Sequence, residues 1–198
     1  MKTGPKYKVC RRLGSSVFTK CQSQKYALSE ERRRPVRRRR SRSNYATQLM
    51  EKQRARFTYG VSEKQFARYV KEAIKKQGSP ADNLFNRLEQ RLDNVVFRLG
   101  YAKSRRMARQ LVSHGHFKVN GKKMTVPSHA VKVGDKISLR ERSQDMAFAG
   151  KEEAAVAMPD WLDIDKKNNH IANVQSLPKY DSTSEAFDLT KVVEFYSR

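Results

Sequence analysis

The sequence predicts an α+β fold, for three reasons. Apolar residues recur at helical spacing from about residue 44 to residue 113. The period then changes to two on either side of Asn120-Gly121, and an Asn-Gly pair in that setting is the strongest short signal for a β-hairpin. Residues 1–43 contain a dense run of arginine, and such a run repels itself and buries nothing, as is typical of an extended arm.

We therefore predict three parts. Residues 1–43 form a basic extended N-terminal arm. Residues 44–90 form a helical domain that residues 159–198 complete. Residues 91–158 are inserted between these two segments and form two helices on a small antiparallel sheet.

Capping signals and apolar stripes predict the helices of the larger domain. Residues 44–58 form the first one. Ser62 and Gln65 have capping-box spacing at the start of the second. Pro80 begins the third, where its missing N–H costs nothing. The apolar stripe that follows is long enough to contain a break at residues 89–91.

The inserted unit is predicted from a change of period. Residues 104–113 form a helix that Ser104 caps. Residues 117–119 and 122–126 form the hairpin, and residues 137–140 form a further strand.

Weaker patterns follow in the last third of the chain. Residues 147–158 predict a weak helix that Pro159 ends, and residues 192–196 predict a short strand or extended tail. We expect three large apolar residues to pack between the two domains or, alternatively, to fill one core: Trp161, Leu162 and Phe195.

The charge distribution favours an anionic partner. Lys and Arg total 43 and Asp and Glu total 20, which gives a net charge of +23 at pH 7. The excess lies in the first 140 residues, because residues 141–198 carry seven basic and eleven acidic side chains. Nucleic acid is the first candidate, since each neutralised phosphate releases condensed counterions. A membrane is the second, but no run approaches the ~20 apolar residues of a span.

The most specific basic cluster lies on the predicted helix 104–113 and the hairpin after it. Arg105 and Arg109 are four residues apart and share a face, with Arg106 beside them, and few carboxylates stand nearby in the sequence. A rigid basic helix beside a basic hairpin suits a structured RNA backbone, read by shape rather than by base. The alternative is an ordinary solvated amphipathic helix.

A family resemblance rests on four segments. Residues 91–139, which begin RLDNVVFRLGYAKSRRMARQ, closely resemble the S4 RNA-binding domain, which also occurs in tyrosyl-tRNA synthetases and some pseudouridine synthases. Residues 44–66, 158–165 and 192–198 resemble the preceding helical region, a Trp-Leu segment and the C-terminus of bacterial small-subunit ribosomal protein four. Residues 4–14 match more weakly.

The resemblance implies a structural constituent of the small ribosomal subunit. From the sequence we also expect a cytoplasmic location and no enzymatic activity, cofactor or metal ion. Members of this family bind small-subunit (16S-type) rRNA directly and nucleate assembly of the subunit body. They contact ribosomal protein five of the same subunit, lie near the mRNA entrance and affect decoding accuracy.

The resemblance also implies which residues bind RNA. The helix and the hairpin contribute the residues expected to face rRNA: Arg105, Arg106, Arg109, His114, Lys118, Asn120, Lys122 and Lys123. The arm contributes side chains expected to lie in rRNA or near incoming mRNA: Arg37, Arg38, Arg39, Arg40 and Arg42. Arg54, on the helix predicted over residues 44–58, is a further candidate.

Two departures from the family pattern occur near the N-terminus. Many members carry a Pro-Gly-Gln-His-Gly turn before the first helix, where this chain has RRRPVRRRRSRS. Some members hold zinc with four cysteines, whereas this chain has Cys10 and Cys21 alone, too few for a tetrahedral site. Two cysteines also make no disulfide framework, and no signal peptide precedes them, so a reducing compartment is expected.

Two other functions remain open on the sequence. The RLD triplet at residues 91–93 superficially resembles a pseudouridine synthase motif, but Leu92 belongs to a helical stripe and Asp93 is more simply a salt-bridge partner or cap. The second of these functions is that of an RNA chaperone that acts outside the ribosome. The match of the flanking segments, in the family's order, disfavours it.

Overall fold

Five stretches of the chain are described by the computed structural model: residues 4–32, 43–144, 158–165, 170–183 and 185–197. The chain divides into two compact units, one formed by residues 1–84 and 180–198 and the other by residues 85–179. Helices and a five-stranded antiparallel sheet confirm the predicted α+β class.

The first unit is helical. Its elements are α1 (Lys6–Leu13), α2 (Gln24–Glu31), α3 (Asn44–Tyr59), α4 (Glu63–Lys75), the start of α5 (Pro80–Glu89) and α8 (Leu189–Tyr196). Ser43 and Ser62 cap α3 and α4 through side-chain oxygens that accept the backbone N–H groups of Ala46 and Gln65.

The N-terminal segment corrects the sequence analysis, because α1 and α2 occupy much of the predicted extended arm. Leu13 and Val17 are each 3% exposed, and α1 and the turn after it contact α3. Cys10 and Cys21 form a disulfide that the sequence analysis did not predict, and with Tyr26 they make a small core. The apolar residues here are spread too thinly to be recognised until α3 supplies the surface that covers them. The arginine run at residues 33–42 lies outside the described residues.

The C-terminal helix α8 corrects the strand predicted over residues 192–196. The Asp188 carboxylate accepts the backbone N–H groups of Thr190 at 2.9 Å and Lys191 at 3.4 Å, which caps the helix. Leu189 and Val192 lie one turn apart, and both are fully buried. A short apolar run does not separate strand from helix by its period, so the cap and the packing decide.

A lysine enclosed by aromatic rings connects α8 to α3 and α4. The Lys52 Nζ lies 2.7 Å from Glu63 Oε1 and 4.6 Å from the centre of the Phe195 ring. The Tyr196 hydroxyl donates to the same Glu63 oxygen at 2.9 Å. One carboxylate therefore receives a donor from α3 and another from α8, and these contacts hold the C-terminal helix in the unit.

The second unit contains the sheet. After the end of α5, its elements are α6 (Leu92–Arg98), α7 (Arg105–Ser113), β1 (Phe117–Val119), β2 (Lys122–Met124), β3 (Lys136–Leu139), β4 (Leu162–Ile164) and β5 (Ile171–Val174). The strand order is β2-β1-β3-β5-β4, and every pair is antiparallel. The sheet and α6 and α7 share one apolar core, in which Leu92, Ala108 and Phe117 are fully buried.

The second unit extends beyond its predicted end at residue 158. The strand β5 pairs with β3, with Ile137 opposite Ala172, and β4 adds the edge strand. Trp161 and Leu162 lie in the core of this unit, whereas Phe195 lies on α8 of the first. Trp161 and Leu162 thus fill one core, as the alternative in the sequence analysis had it, and Phe195 belongs to the other unit. Strands of three and four residues are too short for an alternating pattern to stand out.

The weak helix predicted in the last third of the chain is not tested. Residues 145–157, which hold most of it, lie outside the described residues. Within the described part of the chain, no helix is both long and apolar enough to cross a membrane.

The contacts of Glu63 lead to a prediction about pH. Burial alone would raise the pKa of Glu63, but the hydrogen bonds from Lys52 and Tyr196 and the charges of Lys52 and Arg56 outweigh it and hold the pKa below 4.5. The stabilisation is therefore complete above pH 4.5 and is lost as the pH falls through the lower, folded-state value. We expect Glu63→Gln to lower the free energy of unfolding at pH 7, because it removes the ion pair with Lys52. The loss should be no more than about 1 kcal/mol, since solvent screens this pair.

Urea denaturation of both proteins at several pH values tests this. The stability difference between the wild type and Glu63→Gln should shrink as the pH falls below 4.5. The control is Glu72→Gln, which removes a carboxylate from an exposed pair with Arg68 on α4 and should change stability little. A Glu63→Gln deficit that stays constant down to acid pH would contradict the prediction.

Candidate nucleic-acid interface

The helix α7 is attached by one face and basic on the other. The Ser104 hydroxyl accepts the Met107 backbone N–H at 3.3 Å, which confirms the predicted cap. Ala108, Leu111 and Val112 are buried in the core of the second unit. The three arginines lie on the remaining surface, where Arg106 is exposed and Arg105 and Arg109 are half-buried.

An ion pair from α6 holds Arg109. The carboxylate of Asp93 lies 3.3 Å from the Arg109 Nε and receives two hydrogen bonds from the fully buried Arg91, at 2.7 and 3.1 Å. The interpretation of Asp93 as a salt-bridge partner is thereby confirmed. The carboxylate comes from the preceding helix, so the prediction that few acidic groups stand near these arginines is wrong in three dimensions.

A parallel set of contacts holds Arg105. Its Nε donates to Asn94 Oδ1 at 2.8 Å, and its guanidinium lies 4.5 Å from the centre of the Phe97 ring. The Asn94 amide in turn donates to the carboxylate of the buried Glu89 at 2.9 Å. Arg98 also donates two hydrogen bonds to the Glu89 carboxylate, at 2.9 and 3.0 Å.

The hairpin, which follows α7 in the sequence, carries three lysines. Lys122 and Lys123 are exposed on β2, an edge strand of the sheet. Lys118 is opposite Lys123 in the β1–β2 register, and its Nζ lies 3.0 Å from Glu141 Oε1. The hydrogen bond and charge of Lys118 lower the pKa of Glu141.

Asn120 has a structural role at the hairpin turn. It adopts a positive φ of 50°, and its side-chain amide donates to Asp135 at 2.8 Å while its Oδ1 accepts the Lys136 backbone N–H at 2.9 Å. These bonds connect the turn to the start of β3. Its expected contact with RNA stays a prediction.

Two histidines flank Gly115 at the end of α7. His114 is exposed, and His116 is half-buried with its Nδ1 3.0 Å from the Ser143 hydroxyl. Burial, and then the charges of His114 and Arg140, lower the pKa of His116. His114 is thus the more exposed of the two, and its expected contact with rRNA stays a prediction.

Arg54 is the candidate of the first unit that the structure describes. The Arg54 Nε donates to the Leu13 carbonyl at 2.6 Å, and one terminal nitrogen lies 2.8 Å from Glu51. Arg54 thus ties the N-terminal segment to α3, and its binding to RNA stays a prediction. The remaining candidates lie outside the described residues: Arg37, Arg38, Arg39, Arg40 and Arg42.

Sequence reasoning missed Glu89 and Asn94 as parts of the site. Their signal in the sequence is weak. Both are polar residues next to an apolar stripe that includes Leu92, Val95 and Val96. In the described ranges, no group of three or more His, Cys, Asp or Glu side chains is arranged to hold a metal ion.

Comparison with known proteins bears on this surface. The family model described as "Ribosomal protein S4/S9 N-terminal domain" matches residues 1–89, and that of the S4 domain matches residues 90–137. The second match contains α6, α7 and the hairpin.

The relatives match over nearly the whole chain. The chain is 41% identical to small ribosomal subunit protein uS4 of Thermotoga petrophila, with 99% of this chain and 98% of the relative covered. It is 42% identical, at the same coverage, to the protein of that name from a Thermoanaerobacter strain. The protein of that name from Corynebacterium kroppenstedtii is 48% identical over 79% of each chain. The chain therefore belongs to the uS4 family of small ribosomal subunit proteins.

Proposed function

We propose that this chain binds small-subunit rRNA directly and nucleates assembly of the subunit body. The observation that carries the proposal is the basic face of α7, where Arg105 and Arg109 are held by side chains of α6 and Arg106 is exposed. Lys118, Lys122 and Lys123 add three cations on the next two strands. A fixed cationic surface of this kind suits the backbone of a folded RNA.

The proposed role in assembly follows from rigidity and charge together. A protein that presents fixed cations can bring RNA segments together against their mutual repulsion, because it neutralises phosphates from both. The second unit has one apolar core under the basic helix, so this surface is set before RNA arrives.

We further propose contacts with ribosomal protein five of the same subunit and a position near the mRNA entry site, where the protein contributes to translational accuracy. Membership of the family and the ordered match of the flanking segments support this part. The arginine run at residues 33–42 is the proposed neighbour of incoming mRNA.

A structural role fits the site better than catalysis. Under the alternative of a pseudouridine synthase, Asp93 would be the catalytic carboxylate. Asp93 is 4% exposed and is paired with Arg91 and Arg109. A carboxylate neutralised in this way is poorly placed to attack a substrate. A uridine-isomerisation assay tests the point, and clear turnover would overturn the structural role.

The first prediction concerns salt. The six cationic side chains of α7 and the hairpin should each neutralise about one phosphate. The logarithm of the affinity of the full chain should therefore fall with the logarithm of the salt concentration with a slope at least as steep as about −4 to −5. Filter binding of the full chain to an rRNA fragment, from low to high salt, measures this slope. An affinity that is flat across the series would exclude the proposed interface.

The second prediction concerns α7. Replacing Arg105, Arg106 and Arg109 together by Ala should weaken rRNA binding at least tenfold at moderate salt and make the salt slope shallower by about two to three. The fold should persist, because Asp93 keeps its hydrogen bonds with Arg91.

The matched control removes three exposed charges from α4 and the residue that follows it, by replacing Lys71, Lys75 and Lys76 with Ala. This variant should lose less affinity, since it leaves α7 and the hairpin intact. Equal losses in the two triple variants would mean that net charge, rather than the α7 surface, determines binding.

The third prediction separates a ribosomal protein from an RNA chaperone that acts elsewhere. In sucrose gradients of cell extracts, the chain should sediment with small subunits even after a high-salt wash, because a protein built into folded rRNA is not removed by screening alone. Complete release into the light fractions would favour the chaperone.

A further inference from the structure

The two half-buried arginines of α7 are each held by a buried side chain of α6. The Arg109 Nε is paired with Asp93 Oδ2 at 3.3 Å, and the Arg105 Nε donates to Asn94 Oδ1 at 2.8 Å. Asp93 is 4% exposed and Asn94 is 2% exposed. Both acceptors stand next to each other at the start of one helix, and both cations lie one turn apart on the next.

We infer that Asp93 and Asn94 are positioning residues, which fix the guanidinium groups of Arg109 and Arg105 in the arrangement that a folded RNA backbone requires. The inference rests on the proposed function. It supplies a reason why the surface would select folded RNA over another polyanion.

The acceptors are themselves fixed by second partners. Two hydrogen bonds from Arg91 hold the Asp93 carboxylate, at 2.7 and 3.1 Å. The Asn94 amide donates both to the Glu89 backbone carbonyl at 3.1 Å and to its carboxylate at 2.9 Å. Neither acceptor can turn away without breaking a buried bond, so each offers its arginine a stationary partner.

The contacts hold the arginines without burying them. The Arg109 side chain keeps 35% of its surface exposed, although its partner Asp93 is buried. Arg105 gains a second support from the Phe97 ring, whose centre is 4.5 Å from its guanidinium carbon. Each side chain is therefore anchored on its protein side and remains on the surface of the unit.

Stability alone does not account for these buried polar groups. Positions 93 and 94 lie in a helix whose residues Leu92, Val95 and Val96 are fully buried, so apolar side chains could also be buried there. Replacing buried ion pairs by well-packed apolar groups is often neutral or stabilising. Holding long cationic side chains in place is a function that an apolar residue could not perform, and it reduces the ordering cost that binding would otherwise incur.

Fixed cations should also discriminate between polyanions. A folded RNA presents phosphates at set distances, which a prearranged pair of guanidinium groups can match. A flexible single strand adapts its backbone to whatever cations it meets, so it gains little from their arrangement. Loss of the positioning residues should therefore weaken binding to folded RNA and spare binding to a flexible strand.

The test uses the full chain with two probes, a transcribed fragment of the 5′ part of small-subunit rRNA and an oligouridylate of equal length. Asp93→Asn makes the protein more positive by one charge, so an account based on charge alone expects tighter binding to both probes. The positioning account expects the opposite on the folded fragment, with affinity about three- to tenfold lower. On oligouridylate it expects an unchanged or higher affinity.

A second variant keeps the test informative if Asp93→Asn fails to fold. Asn94→Ala leaves the net charge and the Asp93–Arg91 pair intact, and it should show the same selective loss. Asp163→Asn is the matched control, because it makes the same chemical change on β4, at the opposite edge of the sheet from β2. It should not weaken binding to either probe. Circular dichroism confirms that each variant compared is folded.

Each outcome bears on one claim. A selective loss on the folded fragment in Asp93→Asn or Asn94→Ala supports the inference. Unchanged or tighter binding to that fragment, or equal losses on both probes, overturns it and leaves the proposed function standing. A wild-type chain with no preference for the folded fragment over oligouridylate would instead refute the proposed function itself.

Discussion

Two buried carboxylates, Glu89 at the end of α5 and Asp93 in the first turn of α6, organise the charges of the second unit. Glu89 is 1% exposed and Asp93 is 4% exposed, and neither could be buried as an anion without cations around it. Arg91 and Arg98 supply hydrogen bonds at 2.7 to 3.1 Å. The contacts that remain, directly to Arg109 and through Asn94 to Arg105, reach the surface helix α7. The same groups that make the interior neutral thus determine where the exposed cations stand.

The rest of the unit depends on this arrangement. The apolar face of α7 is buried with the sheet, so the helix cannot rotate, and the polar contacts from α6 then fix the side chains on its other face. The hairpin continues the basic surface, and its turn is set by Asn120, whose side chain bonds to Asp135 and to the start of β3. The proposed RNA-binding surface is in this way supported by bonds within the protein.

The first unit also contains a buried charge with fixed partners, and there the charge holds helices together. Lys52 is 7% exposed, and its ammonium group is balanced by Glu63 and faces the ring of Phe195. Tyr196 donates to the same carboxylate, so the charge holds α8 against α3 and α4. Arg54 similarly joins the N-terminal segment to α3 through the Leu13 carbonyl. In this strongly basic chain, several cations stabilise the fold, and the residues that serve a partner cannot be identified by charge alone.

Local signals in the sequence determined α3, α4 and α7, the Asn120-Gly121 turn, the α+β class and the basic character of the surface. Each of these follows from a cap, a period or a dihedral preference that acts within a few residues. Tertiary structure decided three things. It packed α1 and the turn after it against α3, it added β4 and β5 to the sheet beside β3, and it brought Asp93 and Asn94 to the arginines of α7. Apart from the pairing of β4 with β5, these contacts join residues 11 or more positions apart. Their partners are therefore chosen by packing and by the need to neutralise buried charge, which a local sequence pattern does not reveal.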